Sequence, residues 1–135
     1  MIQIVRPDKQ HIVEICKVTS QYSDELGWVS HGEVSDCIDR NEIYIAQDID
    51  LGKIVGAVLF HTRLDGLTRL YSIFVDKQYS GSGIGRQLFN KVPTPLILSC
   101  PECSISGRRF YESLGLTLNR IKDGKRQKLY EYILE

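Results

Sequence analysis

The chain has 135 residues, which fits one domain, because a single hydrophobic core usually serves about 100–200 residues. Lys plus Arg and Asp plus Glu both number 17, so no broad positive field is available for sequence-independent nucleic-acid binding. With 42% apolar and 25% charged residues, the composition is typical of an ordinary globular domain rather than a disordered chain. We therefore expect one domain over residues 1–135 and no nucleic-acid partner.

The apolar runs and the cysteines indicate the compartment. The longest run, 54–60, is far shorter than the roughly 20 residues that span a bilayer. The first residues, 1–7, lack the basic and then apolar pattern of a secretory signal. Four cysteines are too few for a disulfide framework in a chain of this length. These features predict a cytoplasmic protein with reduced thiols and no membrane partner.

The N-terminal part alternates between the strand and helix periods. Residues 2–5 are rich in β-formers and are predicted to form a strand that ends at Pro7. Helical spacing of apolar positions predicts an amphipathic helix over 8–19. Segment 22–28 is interpreted as a loop or short helix. Ser30 and Glu33 match a capping box in both directions and predict a second helix that ends near Asn41.

The central part is predicted to contain three strands, at 42–48, 53–62 and 70–75, joined by turns at 50–52 and 65–66. A helix follows the glycine-rich stretch 78–85, because Ile84, Leu88 and Val92 lie four apart, and Pro93 stops it.

The C-terminal part is predicted to begin with a short buried strand over 96–100. Ser104 or Ser106 then caps a helix that ends before Gly115. Two closing strands, 116–121 and 128–134, flank a hairpin turn at Asp123-Gly124. The complete order predicts one mixed α/β domain.

The glycines at 81, 83 and 85 are the clearest candidate for a binding loop. Glycines let backbone N–H groups approach a ligand closely, and a helix N-terminus adds donors for a phosphate. A tight strand-to-helix corner explains the glycines alone equally well. Gly85-Arg86-Gln87 lacks the Gly-Lys-Ser/Thr ending of a Walker A loop, and the glycine spacing does not fit a dinucleotide fingerprint.

Two segments carry a family resemblance. IFVDKQYSGSGIGRQLFNKV resembles the acetyl-CoA signature Q/R-x-x-G-x-G/A of the GNAT superfamily of N-acetyltransferases, with Gly83 and Gly85 as the motif glycines. SISGRRFYESLGL is similar to the second family element, and KIVGAVLF and IVRP resemble the third strand and the usual start. In this alignment, Ser80 stands at the Gln/Arg position of the motif. Aligning Gln78 with that position instead would restore the long polar side chain but would shift Leu88 off its usual spacing.

The resemblance implies a single-domain α/β (α+β) GNAT-like fold. Its central sheet would be mixed and mostly antiparallel, with six to seven strands and about four flanking helices, splayed between strands 4 and 5. The implied activity is transfer of an acetyl group from acetyl-CoA to a primary amine by direct attack, without a metal. Tyr111 would be the catalytic proton donor to the leaving thiolate; the alternative is an amphipathic helix residue with a surface hydroxyl. The implied cofactor-binding residues are Ile73, Phe74, Val75, Ser80, Gly81, Ser82, Gly83, Ile84, Gly85, Arg86 and Ser104.

The acceptor and the general base stay open at this stage. Arg69 and Ser99 stand where some family members carry Glu, which leaves Glu33, Glu102 and His61 as sequence candidates for the base. The acceptor is expected to be a small-molecule or peptide amine, with the region of Tyr22, Asp24, Trp28 and His31 shaping its pocket. A homodimer is compatible with the sequence, and so is a route in which Cys100 carries the acyl group. A non-catalytic CoA-binding regulatory module is the rival to the enzyme.

Overall fold

One seven-stranded sheet forms the centre of the molecule, in a computed structural model that describes residues 1–20 and 29–135. Its strand order is β1-β2-β3-β4-β5-β7-β6, and β4 and β5 are the parallel pair among otherwise antiparallel neighbours. The strands are β1 (Ile2–Val5), β2 (Ile43–Asp48), β3 (Lys53–Thr62), β4 (Thr68–Val75), β5 (Leu96–Pro101), β6 (Thr117–Asp123) and β7 (Lys128–Leu134). The predicted fold class is therefore confirmed.

Four α-helices flank the sheet in the described ranges: α1 (Ile12–Thr19), α2 (His31–Asp39), α3 (Ile84–Phe89) and α4 (Ile105–Ser113). Helices α1 and α2 pack on one face, where their buried side chains meet those of β2 and β3. Helices α3 and α4 pack on the other face, against side chains of β3, β4, β5 and β7. On the face covered by α3 and α4, the completely buried side chains include Leu88 of α3 and Leu96 and Leu98 of β5.

The predicted caps are only partly correct. The Ser30 hydroxyl accepts a hydrogen bond from the Glu33 amide at 3.1 Å, as predicted. The return bond from the Glu33 carboxylate does not form, and Glu33 is exposed. A complete capping box occurs instead at Asp8 and His11, ahead of α1. Ser104 stands at the start of α4, but its side chain does not cap the helix.

The final hairpin differs from the prediction because β6 extends to Asp123. The connection is therefore residues 124–127, closed by a 3.0 Å hydrogen bond from the Gly124 amide to the Gln127 carbonyl. Helix α3 is also shorter than predicted, since it ends at Phe89. The segment 22–28, with Tyr22, Asp24 and Trp28, lies outside the described residues.

The sheet opens between β4 and β5. These strands pair only through Thr68 with Leu96 and Arg69 with Ile97 in the described structure, and beyond this point they diverge. The divergence coincides with a β-bulge in β4, because Ser72 lies opposite Leu59 while Leu70 lies opposite Phe60. Tyr71 is the extra residue of the bulge. The predicted splay between strands 4 and 5 is confirmed.

Candidate active site

A cavity of about 390 Å³ occupies the opening between β4 and β5 and is closed by α3 and α4. Its volume lies within the range of about 300–1,000 Å³ typical of small-molecule sites. Of the residues expected to bind the cofactor, all except Ser82 line this cavity, and so does Tyr111. The structure therefore brings together two segments about 20 residues apart in the chain, the glycine loop and the start of α4.

The three glycines of the loop serve two structural purposes. Gly81 and Gly83 have φ values of +80° and +85°, a left-handed conformation that L side chains rarely adopt. A Cβ built on either of them meets no atom within 4 Å, so conformation and not crowding requires glycine there. Gly85 is different, because its Cβ would lie 3.1 Å from the Phe110 ring. Gly85 thus allows α3 to pack closely against α4.

The serine side chains of this loop are turned toward its own backbone. The Ser80 hydroxyl donates to the Lys77 carbonyl at 2.9 Å, and the Ser82 hydroxyl donates to the Tyr79 carbonyl. Ser82 is therefore held outside the cavity lining. The loop presents mainly backbone to the cavity, which suits recognition of an anion by N–H groups rather than by side chains.

Tyr79 ties the glycine loop to the last residue of β2. Its hydroxyl donates to the Asp48 carboxylate at 2.6 Å, and Asp48 also accepts from the amides of Asp50 and Leu51. The hydrogen bond with Asp48 raises the pKa of Tyr79 to about 12 and lowers the pKa of Asp48. The sequence gives no sign of this anchor, because the two residues lie 31 positions apart and no motif connects them.

Tyr111 of α4 also lines the cavity. It is 8% exposed, and its ring centroid lies 5.6 Å from that of Phe110 and 6.2 Å from that of Tyr132. The ring of Tyr111 is therefore largely buried between these two aromatic neighbours. Cys100 is close by and also lines the cavity, with its thiol 3.8 Å from the Ser104 carbonyl.

Gly107, in the first turn of α4, has little room for a side chain. A Cβ at this position would come within 2.5 Å of the Ser104 hydroxyl and 3.2 Å of the Cys100 sulfur. Real Cβ atoms essentially never make contacts as short as the first of these. Close packing between β5 and the first turn of α4 thus favours glycine at this position.

A family model of the acetyltransferase (GNAT) domain matches residues 39–117, which include the cavity and its loop. The chain belongs to the GNAT acetyltransferase family. No curated protein sequence matches the chain significantly.

Solved GNAT structures share the fold across nearly the whole chain. Arabidopsis thaliana NAA60, in complex with a bisubstrate analogue, has a TM-score of 0.82 at 13% identity, covering 99% of this chain and 97% of that chain. The ribosomal-protein-S18-alanine N-acetyltransferase from Escherichia coli has a TM-score of 0.77 at 18% identity, covering 99% and 93%. Salmonella typhimurium yncA, a putative acetyltransferase with its cofactor acetyl-CoA, has a TM-score of 0.78 at 16% identity, covering 100% and 94%.

The three sequence candidates for a general base do not line the cavity of this GNAT domain; they are Glu33, Glu102 and His61. His61 binds Glu42, with 2.8 Å between its Nδ1 and the carboxylate. Burial opposes ionisation of Glu42, but hydrogen bonds from His61, the Thr62 amide and Arg40 outweigh it and lower the pKa of Glu42. His61 therefore has a structural partner. Glu102 is exposed and does not line the cavity.

The basic residues divide into those at the cavity and those paired elsewhere. Arg86 lines the GNAT cavity, whereas the Arg108 guanidinium lies 4.5 Å from the Tyr130 ring centroid. In the final hairpin, Arg120 and Lys122 both pair with the buried Glu131 carboxylate. The positive charge at these two hairpin positions is thus matched locally, which leaves Arg86 as the cation lining the cavity.

Metal-binding clusters and membrane-spanning helices are both absent from the part of the chain that the structure describes. Outside the undescribed segment 21–28, no group of three or more His, Cys, Asp or Glu residues is arranged to hold a metal ion. Over the same residues, no helix is long and apolar enough to cross a membrane.

Proposed function

We propose that this GNAT domain transfers an acetyl group from acetyl-CoA to a primary amine by direct attack. The observation that carries the proposal is the cavity at the β4–β5 opening, lined both by the glycine loop and by Tyr111. Structural relatives support both halves of the reaction. The Salmonella protein contains acetyl-CoA, and the E. coli protein is named for N-acetylation of an alanine.

The donor is proposed to lie along β4, with its pyrophosphate at the loop 80–86. Backbone N–H groups of this loop supply donors at the positions where Gly81 and Gly83 hold a left-handed backbone. Arg86 adds a positive charge from the cavity wall. The backbone of Ile73, Phe74 and Val75 is proposed to bind the pantetheine arm, because β4 has diverged from β5 over these residues. Ser104 is proposed to line the end of the donor site.

The reaction needs three events around the thioester carbonyl. The lone pair of a neutral amine forms the new C–N bond, the carbonyl oxygen becomes an oxyanion, and the C–S bond then breaks. Tyr111 is proposed to donate its phenolic proton to the leaving thiolate, and the amine loses its extra proton to water. The buried position of Tyr111 at the cavity wall supports this role.

The general base is proposed to be dispensable for an acceptor of low pKa. No carboxylate lines this cavity in the part of the chain that the structure describes. An α-amino group, with a pKa of about 7.7–8.0, is neutral at pH 7 far more often than a lysine side chain at about 10.4. We therefore expect α-amino acceptors to react faster than isolated side-chain amines.

The test incubates the protein with acetyl-CoA and each member of a panel of amines. Acetylation is detected by the appearance of the free thiol of CoA and by mass spectrometry of the product. Tyr111→Phe should lower kcat by roughly 10²–10⁴-fold and leave the Kd for acetyl-CoA within about twofold of wild type. Tyr130→Phe is the matched control, because Tyr130 does not line the cavity.

Unchanged turnover in Tyr111→Phe would refute its role as proton donor. Binding of acetyl-CoA without turnover on any amine would favour the regulatory module instead.

A further inference from the structure

The segment that leads from β4 to α3 carries the glycine loop and is fixed at both of its ends. At its start, the Asp76 amide donates to the Val55 carbonyl of β3 at 2.7 Å. At its end, the Gly83 carbonyl accepts a hydrogen bond of α3 from the Gln87 amide at 3.1 Å. Glycines such as Gly81 and Gly83 allow the backbone between these points many conformations. A ligand that orders such a loop pays for the lost conformational entropy, unless another contact already restricts the loop in the free protein.

Tyr79 supplies a contact of this kind directly before the loop. Its hydroxyl donates to the Asp48 carboxylate at 2.6 Å, and the Lys53 ammonium lies 5.2 Å from the centroid of its ring. Asp48 and Lys53 are register partners in β2 and β3, so both contacts come from the same end of one hairpin. The Tyr79 side chain is therefore held, by its hydroxyl and by its ring, against two paired strands of the sheet.

Asp48 is itself held firmly enough to fix the Tyr79 hydroxyl. It is 8% exposed, and its carboxylate also accepts hydrogen bonds from the amides of Asp50 and Leu51, at 3.1 and 3.3 Å. Hydrogen bonds to a charged group are about twice as strong as those between neutral groups. Tyr79 lines the cavity and Asp48 does not, so Asp48 reaches a ligand there through Tyr79.

We propose that Asp48 and Tyr79 are positioning residues for the acetyl donor, and that their hydrogen bond holds the glycine loop of the free protein in the conformation that binds the pyrophosphate. This inference rests on the proposed function, because it concerns the donor site of that reaction. Neither side chain takes part in forming or breaking covalent bonds. The hydrogen bond reduces the entropy that the ligand must remove from the loop, so it controls the affinity for CoA and not the rate of the chemical step.

Tyr79→Phe is the first test, because it removes the hydroxyl and keeps the ring that contacts Lys53 and lines the cavity. The Kd for CoA, measured by calorimetry, should rise about tenfold, and the KM for acetyl-CoA should rise with it. At saturating acetyl-CoA, kcat should stay within about twofold of wild type. Tyr44→Phe is the matched control, because the Tyr44 hydroxyl accepts from Arg6 at 2.9 Å, 38 positions away, and Tyr44 does not line the cavity. An unchanged Kd in Tyr79→Phe, or an equal rise in Tyr44→Phe, would overturn the proposal.

Asp48→Asn tests the indirect step. The amide oxygen of asparagine still accepts from the Tyr79 hydroxyl but carries no charge, so the Kd should rise by about threefold, half of the effect in free energy. Adding Tyr79→Phe should bring the Kd only to about the tenfold value of Tyr79→Phe alone, because both changes act on one bond. A rise of about thirtyfold in the double variant would show that the two residues act independently and would overturn the proposal. Asp50→Asn is the control and should leave the Kd unchanged, because Asp50 lies in the same turn, pairs with the Met1 amino group and does not line the cavity.

Calorimetry with CoA needs no turnover, which separates this inference from the proposed reaction. If no amine is acetylated but Tyr79→Phe weakens CoA binding and Tyr44→Phe does not, the positioning role stands without the reaction. If amines are acetylated and Tyr79→Phe binds CoA as tightly as wild type, the reaction stands and the positioning role is wrong.

Discussion

Replacing Gly83 by alanine should weaken acetyl-CoA binding through the backbone alone. Gly83 has a φ of +85°, and a Cβ there meets no atom within 4 Å, so the change introduces no collision. A left-handed conformation costs an L residue roughly 1–2 kcal/mol. The unfolded chain with alanine has less conformational entropy than the chain with glycine, which offsets about 0.4–1 kcal/mol of this cost. The net loss is about 1 kcal/mol, which should lower the Tm by roughly 3–6 °C in a domain of this size.

Relaxation of the loop would convert the same cost into lost affinity. If the variant loop leaves the left-handed conformation in the free protein, acetyl-CoA must restore it, and Kd should rise by about fivefold. Gly52→Ala is the matched control, because Gly52 also has a positive φ, +65°, and open space around a Cβ, but lies in the turn between β2 and β3. It should lose stability and keep its affinity.

Thermal unfolding and calorimetric titration of both variants measure the two quantities separately. An unchanged Tm together with an unchanged Kd in Gly83→Ala would refute the requirement for a left-handed residue. An equal loss of affinity in Gly52→Ala would show that general destabilisation, and not the loop, controls binding.

Two further predictions concern titrating groups, each measured by urea unfolding across pH. Tyr79 keeps its proton up to about pH 12 in the folded chain, while unfolded tyrosine titrates near 10, so stability should fall as the pH rises from 10 toward 12. Tyr79→Phe should reduce this decline, the remainder coming from Tyr132, whose pKa burial also raises, and a decline of the same size in the variant would disprove the assignment. The hydrogen bond from Asn119, followed by that from Arg120, lowers the pKa of Glu131 although burial opposes this. The Glu131 carboxylate therefore stabilises the fold above about pH 4.3, and this stabilisation is lost as the pH falls through the lower pKa of the folded state. Glu131→Gln should cost about 1–2 kcal/mol at pH 7 and flatten the acid decline, whereas an equally steep acid decline would contradict this account.

Much of the element order could be predicted from the sequence, because local signals and tertiary structure agree there. The lengths and bounds of β1 and β3 match the predicted strands, since alternation or a continuous apolar run coincides with burial. The start of α3 follows directly from Gly83, a residue whose left-handed conformation ends the preceding turn. Gly115, at φ +92°, ends the last helix as predicted.

Features produced by long-range register could not be predicted. The bulge at Tyr71 depends on how β4 aligns with β3, and nothing in the composition of β4 identifies the extra residue. The bond between Tyr79 and Asp48 joins the turn after β4 to the end of β2, which only the folded sheet brings together. Local sequence assigns Glu33 to a two-way capping box, and only the structure shows that the bond from the Glu33 amide to the Ser30 hydroxyl forms without the return bond.

The central claim is that the opening between β4 and β5 binds acetyl-CoA, and ligand-dependent thermal unfolding tests it most directly. The unfolding temperature would be measured with acetyl-CoA, CoA, ATP and NAD at equal concentrations. A ligand present at 100 times its Kd should stabilise the fold by about 2.7 kcal/mol, which amounts to several degrees in a domain of this size. The account predicts such a shift with acetyl-CoA and CoA and a much smaller one with ATP and NAD. No shift with acetyl-CoA or CoA would contradict it.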